Sequence, residues 1–157
     1  MQVEATILID APLDDVFAIL TDYGGAARLR INPRLRGQTV VERSGNVITC
    51  ENEWESGGKL VRRRRRYRVL PPNRIEEEVI GATSGMLRVL TRLEPEGEQT
   101  WLILTSEYEL TGIWRFLARF AEGKLREADQ SYLATLKDGI EAEFEEVEVE
   151  AAADSPE

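Results

Sequence analysis

The residues best suited to chemistry lie on either side of a Pro-Pro-Asn turn, with arginines before it and glutamates after it. Arginine occupies positions 62–66 and 68, and glutamate occupies positions 76–78. A hairpin centred on Pro72 places Arg68 opposite Glu76 and Arg66 opposite Glu78. Because side chains alternate across a strand, this pairing predicts an outward ladder of opposite charges, each pair contributing roughly 0.2–1 kcal/mol.

The odd-numbered residues of this hairpin face the expected core. Arg63, Arg65 and Tyr67 share that face with Glu77, which lies opposite Tyr67 and diagonal to Arg65. One interpretation is a compensated Arg–Glu–Tyr cluster inside a cavity, because breaking a buried ion pair costs about 3–5 kcal/mol. Such a cavity would favour a ligand with a polar or anionic head and an apolar body. The alternative is that Arg63 and Arg65 lie near a sheet edge and extend into solvent.

The absence of histidine narrows the chemistry further. Without imidazole, the chain has no His-ligated zinc and no Ser-His-Asp triad of its own. Acid–base catalysis would fall to carboxylates, tyrosines, lysines or Cys50. Cys50 lies in an alternating strand with no neighbour that would activate its thiol. No glycine-rich phosphate loop is evident, and neither a metal nor another cofactor is expected.

The charge balance argues against nucleic acid as a partner. The chain has 29 acidic and 20 basic residues, a net charge of −9, whereas phosphate binding needs a basic surface. A length of 157 residues suits one domain. The sequence shows no signal-peptide pattern and no apolar run of the roughly 20 residues that span a bilayer, so a cytoplasmic location is expected.

The elements that must position these residues begin with a strand over 3–10. A short helix after Pro12 and a further helical turn over 26–31 are predicted next. The hydrophobic period then changes to two, which predicts six strands joined by short turns and therefore paired antiparallel. These strands are expected at 36–42, 46–55, 59–70, 74–80, 85–94 and 100–110.

Apolar residues at helical spacing predict one long amphipathic helix from Trp114 to about residue 146. One helix covers only part of a curved seven-stranded sheet, so a ligand cavity is expected between them. Besides the hairpin residues, its expected lining comprises Trp54, Leu102, Leu104, Ser106, Tyr108, Leu125, Ala128 and Tyr132. For each aromatic ring, packing in the core is the alternative role.

A second apolar stripe on this segment need not face the sheet. It consists of Ile113, Phe116 and Phe120. The stripe would make a transient contact with a membrane or a protein partner, or else it would pack in the core.

A family resemblance rests on the N-terminal segment VEATILIDAPLDDVFAILTDYGGAARLRINP and on the order of elements after it. Strand, Ala-Pro, short helix, Asp-Tyr and Asn-Pro follow one another as in the START-like (SRPBCC) superfamily, which the chain resembles over about residues 2–145. The tryptophan frequent before Asn-Pro in relatives is replaced by Arg30-Ile31. The members of that superfamily include polyketide cyclases and dehydrases, lipid-transfer domains and coenzyme-Q-binding proteins. The resemblance implies an α+β helix-grip fold, in which a seven-stranded curved antiparallel sheet wraps around a long C-terminal helix, with two short helices after the first strand.

These observations predict a START-like ligand-binding domain over 1–146 and an acidic, disordered tail over 147–157. Three hypotheses for its function follow. The favoured one is non-catalytic binding of a hydrophobic small molecule, such as a lipid, an isoprenoid quinone or a polyketide-like aromatic compound. The second is a metal-free cyclase or dehydratase, with Glu77 as general base and Tyr67 or an arginine stabilising a developing enolate. The third is a protein-interaction module that uses the exposed stripe of the long helix.

Overall fold

A computed structural model describes residues 1–153 and has the predicted order of elements. The helices and strands are β1 (Gln2–Ile9), α1 (Leu13–Leu20), α2 (Ala26–Ile31), β2 (Leu35–Ser44), β3 (Val47–Ser56), β4 (Lys59–Leu70), β5 (Arg74–Val79), β6 (Gly85–Glu96), β7 (Gln99–Glu109), α3 (Ile113–Phe116) and α4 (Ala118–Ala153). The predicted helix-grip architecture is therefore confirmed, and each predicted strand is present.

The seven strands form one antiparallel sheet in the order β1-β7-β6-β5-β4-β3-β2. Six of the strands are joined by short turns, which leave no room for a crossover between parallel neighbours. The N-terminal strand β1 instead pairs with β7, so that Ala5 lies opposite Leu104 at the edge of the sheet. Register shifts in β2 and β6 mark irregularities of the kind that bend a strand and increase its twist.

The register predicted for the arginine-rich hairpin is also confirmed. Arg66 pairs with Glu78, Tyr67 with Glu77, and Arg68 with Glu76. On the outward face, Arg66 and Arg68 form ion pairs with the glutamates of β5. The ladder extends to a second strand that the hairpin argument did not include, because Arg62 binds Glu53 and Arg64 lies 3.8 Å from Glu51 on β3.

Helix α4 crosses one side of the sheet and packs mainly against β1, α1 and α2. Its C-terminal half is closely fitted to α2, since a Cβ added at Gly139 would lie only 2.6 Å from the Cα of Ile31. Within the described chain, the six buried residues of α4 are Ala121, Asp129, Leu133, Leu136, Ile140 and Glu143.

The ends of the long helix differ from the sequence prediction. The segment breaks at Leu117, which separates the short α3 from α4, and Trp114 and Leu117 are exposed rather than part of the buried face. At the other end, residues 147–153 were predicted as disordered tail but continue the helix. Their alanines and glutamates are good helix formers, and this propensity outweighs the acidic composition. Residues 154–157 of the predicted tail lie outside the described residues.

Candidate functional site

A cavity of about 330 Å³ lies between the inner face of the sheet and α4. It exists because α4 packs mainly on β1 and the two short helices, which leaves space beneath it on the side of β3 to β5. Its lining includes buried residues and exposed ones such as Ser56 and Ala128, so it reaches the protein surface. The lining residues are Leu20, Tyr23, Arg28, Asn32, Arg34, Leu35, Asn52, Trp54, Glu55, Ser56, Arg65, Tyr67, Ile75, Glu77, Met86, Val89, Thr91, Leu102, Leu104, Tyr108, Ala128, Asp129, Tyr132 and Leu136.

Arg65 and Glu77 form an ion pair in the cavity wall, with their side chains only 14% and 17% exposed. The guanidinium carbon of Arg65 also lies 3.9 Å from the centre of the Trp54 ring, which is a close cation–π contact. This environment holds the Arg65 side chain in one place and neutralises its charge. The ion pair also occupies the carboxylate of Glu77, which is therefore not available as a free base.

Tyr67 lies in the middle of a group of polar residues at one end of the cavity. The amide nitrogen of Asn52 donates a 2.8 Å hydrogen bond to the Tyr67 hydroxyl oxygen. The ring of Tyr23 lies 4.4 Å away, centre to centre, in a tilted stack. Burial raises the pKa of both tyrosines well above the ordinary value, so their hydroxyls stay protonated and can donate hydrogen bonds.

Arg28 of α2 reaches the same group of residues from the other side. Its Nη1 donates a 3.1 Å hydrogen bond to the carbonyl oxygen of Leu20, and its guanidinium lies over the rings of Tyr23 and Tyr67. Its Nε is shielded from solvent and has no hydrogen-bond partner within residues 1–153. A cationic side chain is therefore present in the cavity wall with unused donor capacity.

A second polar contact lies on the α4 side of the cavity. The Tyr108 hydroxyl donates a 2.8 Å hydrogen bond to Oδ1 of Asp129, while Oδ2 of the same carboxylate has no partner in the described chain. Burial raises the pKa of Asp129, and the hydrogen bond from Tyr108 opposes that rise. Asp129 thus occupies an inward position that the apolar pattern of the helix did not reveal.

Most residues expected in the lining are found there, and three are not. Trp54, Arg65, Tyr67, Glu77, Leu102, Leu104, Tyr108, Ala128 and Tyr132 line the cavity, whereas Arg63, Ser106 and Leu125 do not.

The absence of each of these three residues from the lining has a physical reason. Arg63 is exposed because β5 ends at Val79, opposite Arg65, so Arg63 lies beyond the paired part of the hairpin and extends into solvent. Ser106 is fully buried but is enclosed beside Tyr108 and Asp129. Leu125 is half-buried because the first turns of α4 have few neighbours, Ala121 being the one buried residue before Asp129.

The sequence analysis did not predict some of the lining residues. One of them could have been found from the sequence pattern, and others could not. Strand alternation places Asn52 on the same face as Cys50 and Trp54, so Asn52 could have been found. Cys50 itself is buried, and burial raises the pKa of its thiol, which agrees with an unreactive side chain. Tyr23, Arg28 and Asp129 had no comparable signal, because their direction depends on how α2 and α4 pack.

The seven-stranded antiparallel sheet and the long C-terminal helix define a helix-grip fold. Residues 1–141 match the family described as polyketide cyclase / dehydrase and lipid transport, and the chain belongs to that family. The family description favours a role in binding hydrophobic small molecules. A comparison with curated protein sequences finds no match.

Solved structures agree with this fold at low sequence identity. TTHA0849 from Thermus thermophilus superposes with a TM-score of 0.73 at 23% identity, over 90% of this chain and 98% of that one. The Zhui aromatase/cyclase from a Streptomyces species gives 0.68 at 18% identity, over 92% and 93%. A START superfamily protein from Mycobacterium smegmatis gives 0.65 at 16% identity, over 93% and 98%. At these identities the likeness concerns the fold alone.

The exposed stripe lies outside the cavity. Phe116 is 89% exposed, Ile113 67% and Phe120 57%, so these three side chains do not pack in the core. Within the described residues, no helix combines the length and the apolar character required to cross a bilayer.

Proposed function

We propose that the protein is a carrier that binds a hydrophobic small molecule with a polar head group in the cavity beneath α4. The observation that supports this most directly is the open volume of about 330 Å³, walled by aliphatic and aromatic side chains and by polar residues on both the sheet side and the α4 side. Such a site gives the apolar body of a ligand a place out of water, and the polar residues fix its orientation. The description of the family, which includes lipid transport, supports the same role.

Native mass spectrometry of gently purified protein tests the proposal. A carrier is expected to retain a small molecule that dissociates on unfolding, and extraction with organic solvent would identify it. The ligand-free protein should then bind an apolar compound at one site per chain. If no compound co-purifies and none of a series of lipids, isoprenoid quinones and polycyclic aromatics binds, the carrier proposal is wrong.

The cyclase or dehydratase hypothesis is less well supported by the geometry. Glu77, the candidate base, is paired with Arg65, and Tyr67 accepts a hydrogen bond from Asn52. Both groups are suited to positioning a ligand, whereas a general base needs a carboxylate free to take a proton. A filled cavity together with an exposed stripe would favour the protein-interaction hypothesis; the stripe is exposed, but the cavity is open.

A further inference from the structure

We propose that the ligand's head group is anionic and that Arg28 is its counter-ion. This inference rests on the carrier function proposed above and makes it more specific. It depends on the difference between the two shielded arginines of the cavity wall, Arg28 and Arg65, whose Nε atoms both lack a hydrogen-bond partner in the described chain. Arg65 has a carboxylate partner in Glu77, whereas no carboxylate of residues 1–153 lies within ion-pair distance of Arg28.

The other acidic residues of the lining are already engaged. Glu55, near the surface, forms a 2.6 Å ion pair with Arg36. Asp129 accepts its hydrogen bond from Tyr108 on the α4 side. Arg34, the remaining cationic residue of the lining, is exposed. Arg28 is therefore the one shielded cation of the cavity that lacks a protein counter-ion within the described residues.

The surroundings of Arg28 hold its guanidinium but do not satisfy it. The rings of Tyr23 and Tyr67 lie 5.1 and 5.8 Å from its central carbon, and they supply cation–π attraction. One nitrogen is used by the Leu20 carbonyl, and Nε has no partner in the described chain. A buried donor without a partner costs free energy, which a bound anion would recover through a charge-assisted hydrogen bond.

The tyrosines add further donors at the same place. Since burial keeps the Tyr23 and Tyr67 hydroxyls protonated, they do not neutralise Arg28. A carboxylate, enolate or phenolate head would meet one guanidinium and protonated hydroxyls together, with its apolar body against the aliphatic wall. A neutral head with an acceptor oxygen would pair with Nε but would leave the positive charge of Arg28 without a counter-ion.

Isothermal titration calorimetry with matched acids and alcohols tests this inference. Dodecanoate is compared with dodecanol, and naphthoate with naphthalenemethanol, at a pH where both acids are ionised. The ligand-free wild-type protein is expected to bind at least one acid roughly tenfold or more tightly than its alcohol, the value of one hydrogen bond to a charged group. Arg28→Met, which keeps the length and loses the charge, should abolish that preference, whereas Arg63→Met on the exposed part of β4 should keep it.

The possible results separate the two claims. If no member of either pair binds, the inference about the head group fails, and the co-purification test decides the carrier proposal separately. If acid and alcohol bind equally, or if Arg28→Met retains the preference, the carrier survives and the role of Arg28 is refuted. The wild-type comparison needs no variant, and Arg28→Lys, which keeps the charge, provides a second test should Arg28→Met not fold.

The exposed stripe supports a separate inference. The register places the C-terminal ends of β3, β5 and β7 at the same end of the sheet, because Ser56 pairs with Lys59 and Gly85 with Glu109. The chain leaves β7 at this end of the sheet and enters α3 directly. Ser56, which lines the cavity and is exposed, lies at the same end of the sheet. The apolar stripe therefore follows the same end of the sheet as Ser56, with β6, β5 and β4 between β7 and β3.

We further infer that the stripe Ile113, Phe116 and Phe120 docks on an anionic lipid bilayer. Local charge favours this partner, because four cationic residues against one acidic residue occur in 113–126, in a chain whose net charge is −9. Arg119 and Lys124 have no acidic partner within 4.0 Å in the described chain, and Lys124 lies over the Phe120 ring. Exposed aromatic residues interspersed with basic ones are typical of segments that lie in a membrane interface.

Vesicle sedimentation tests this second inference. The protein is mixed with vesicles of phosphatidylcholine alone and with vesicles in which phosphatidylserine makes up roughly a third of the lipid. Binding is expected only to the anionic vesicles, with a loss of about tenfold or more for Phe116→Ser combined with Phe120→Ser. Val41→Ser, an exposed apolar residue on the edge strand β2, should bind like wild type. Equal binding to both vesicle types, no binding, or a stripe used instead for self-association without lipid would overturn the inference.

Discussion

Arg65 and Glu77 form an ion pair inside the cavity wall, while Arg66 and Glu78 of the same two strands form one on the opposite, solvent-exposed face. The two pairs have the same chemistry and adjacent positions, and they differ mainly in burial. The side chains of the inner pair are 14% and 17% exposed, and those of the outer pair are 47% and 46% exposed. The hairpin therefore contains its own control for the effect of the cavity on a salt bridge.

The first prediction uses this difference. Glu77→Gln leaves Arg65 partly buried without a counter-ion and should lower the free energy of unfolding by about 3 kcal/mol. Glu78→Gln should lower it by less than about 1 kcal/mol, because exposed pairs contribute little. Urea denaturation of both variants measures the two values. Similar losses for both would show that the inner pair is not buried as described.

The same variant also distinguishes a carrier from an enzyme. Glu77→Gln should keep most of its ligand affinity, measured by calorimetry, if the residue only shapes the cavity. In a cyclase or dehydratase that uses Glu77 as its base, the variant would bind substrate without turning it over. If the wild-type protein turned over a substrate and Glu77→Gln bound it without turnover, the enzyme hypothesis would replace the carrier proposal.

The second prediction concerns two glycines of α4. Gly139→Ala should destabilise the protein by about 1–3 kcal/mol, because its Cβ would lie 2.6 Å from the Cα of Ile31. At Gly123 nothing lies within 4 Å of the added Cβ, so Gly123→Ala should stabilise the protein by about 0.5–1 kcal/mol through helix propensity. Thermal denaturation followed by circular dichroism compares the two. A stabilising Gly139→Ala would mean that α2 and α4 are not in contact there.

The third prediction tests whether the cavity is the binding site. Ala128 lines it and is exposed, so Ala128→Phe should occupy part of the volume and weaken ligand binding by about tenfold or more without unfolding the protein. Ala134→Phe, at an exposed position of the same helix outside the lining, is the matched control. Undiminished binding by Ala128→Phe would place the ligand elsewhere.

The fourth prediction concerns the pH dependence of stability. Burial raises the pKa of Asp129 in the folded state, so the folded protein holds this proton to a higher pH than the unfolded chain. The stability contributed by the protonated form is complete below the unfolded pKa and is lost as the pH rises through the folded pKa. Asp129→Asn, which still accepts a hydrogen bond from Tyr108, should not show this loss.

Urea unfolding of both proteins between about pH 4 and pH 7 measures the effect. The stability of the wild type relative to Asp129→Asn is expected to decrease as the pH increases through this range. A relative stability that increases with pH would mean that Tyr108 stabilises the carboxylate more than burial penalises it.

The fold could be predicted from the sequence wherever local rules decide the structure. The turn at Pro71-Pro72-Asn73 fixes which arginine faces which glutamate, so the positions of Tyr67, Glu77 and Arg65 followed from counting residues. The same counting failed for Arg63, because alternation gives the face of a strand but not the point at which its neighbour ends.

The polar residues of the site were harder to predict. Arg28 lies in a six-residue helix whose orientation depends on tertiary packing, and no period marks an inward arginine in so short a segment. Asp129 is a charged residue on a helix face identified by apolar spacing, so the pattern favoured its neighbour Ala128. Both residues face the cavity, and sequences break the apolar pattern most often at such sites.

Helix α4 is attached to the rest of the protein unevenly along its length. From Asp129 onward it hydrogen-bonds to β1, β7, α2 and the residue that follows β1, whereas its first turns bury only Ala121. Amide hydrogens near residue 120 should therefore exchange with solvent through small local openings, and those near Leu136 only through much larger ones. Under the proposed carrier function, a guest molecule would enter and leave through motion of this end of the helix, at a rate set by fraying of a few turns rather than by unfolding of the domain.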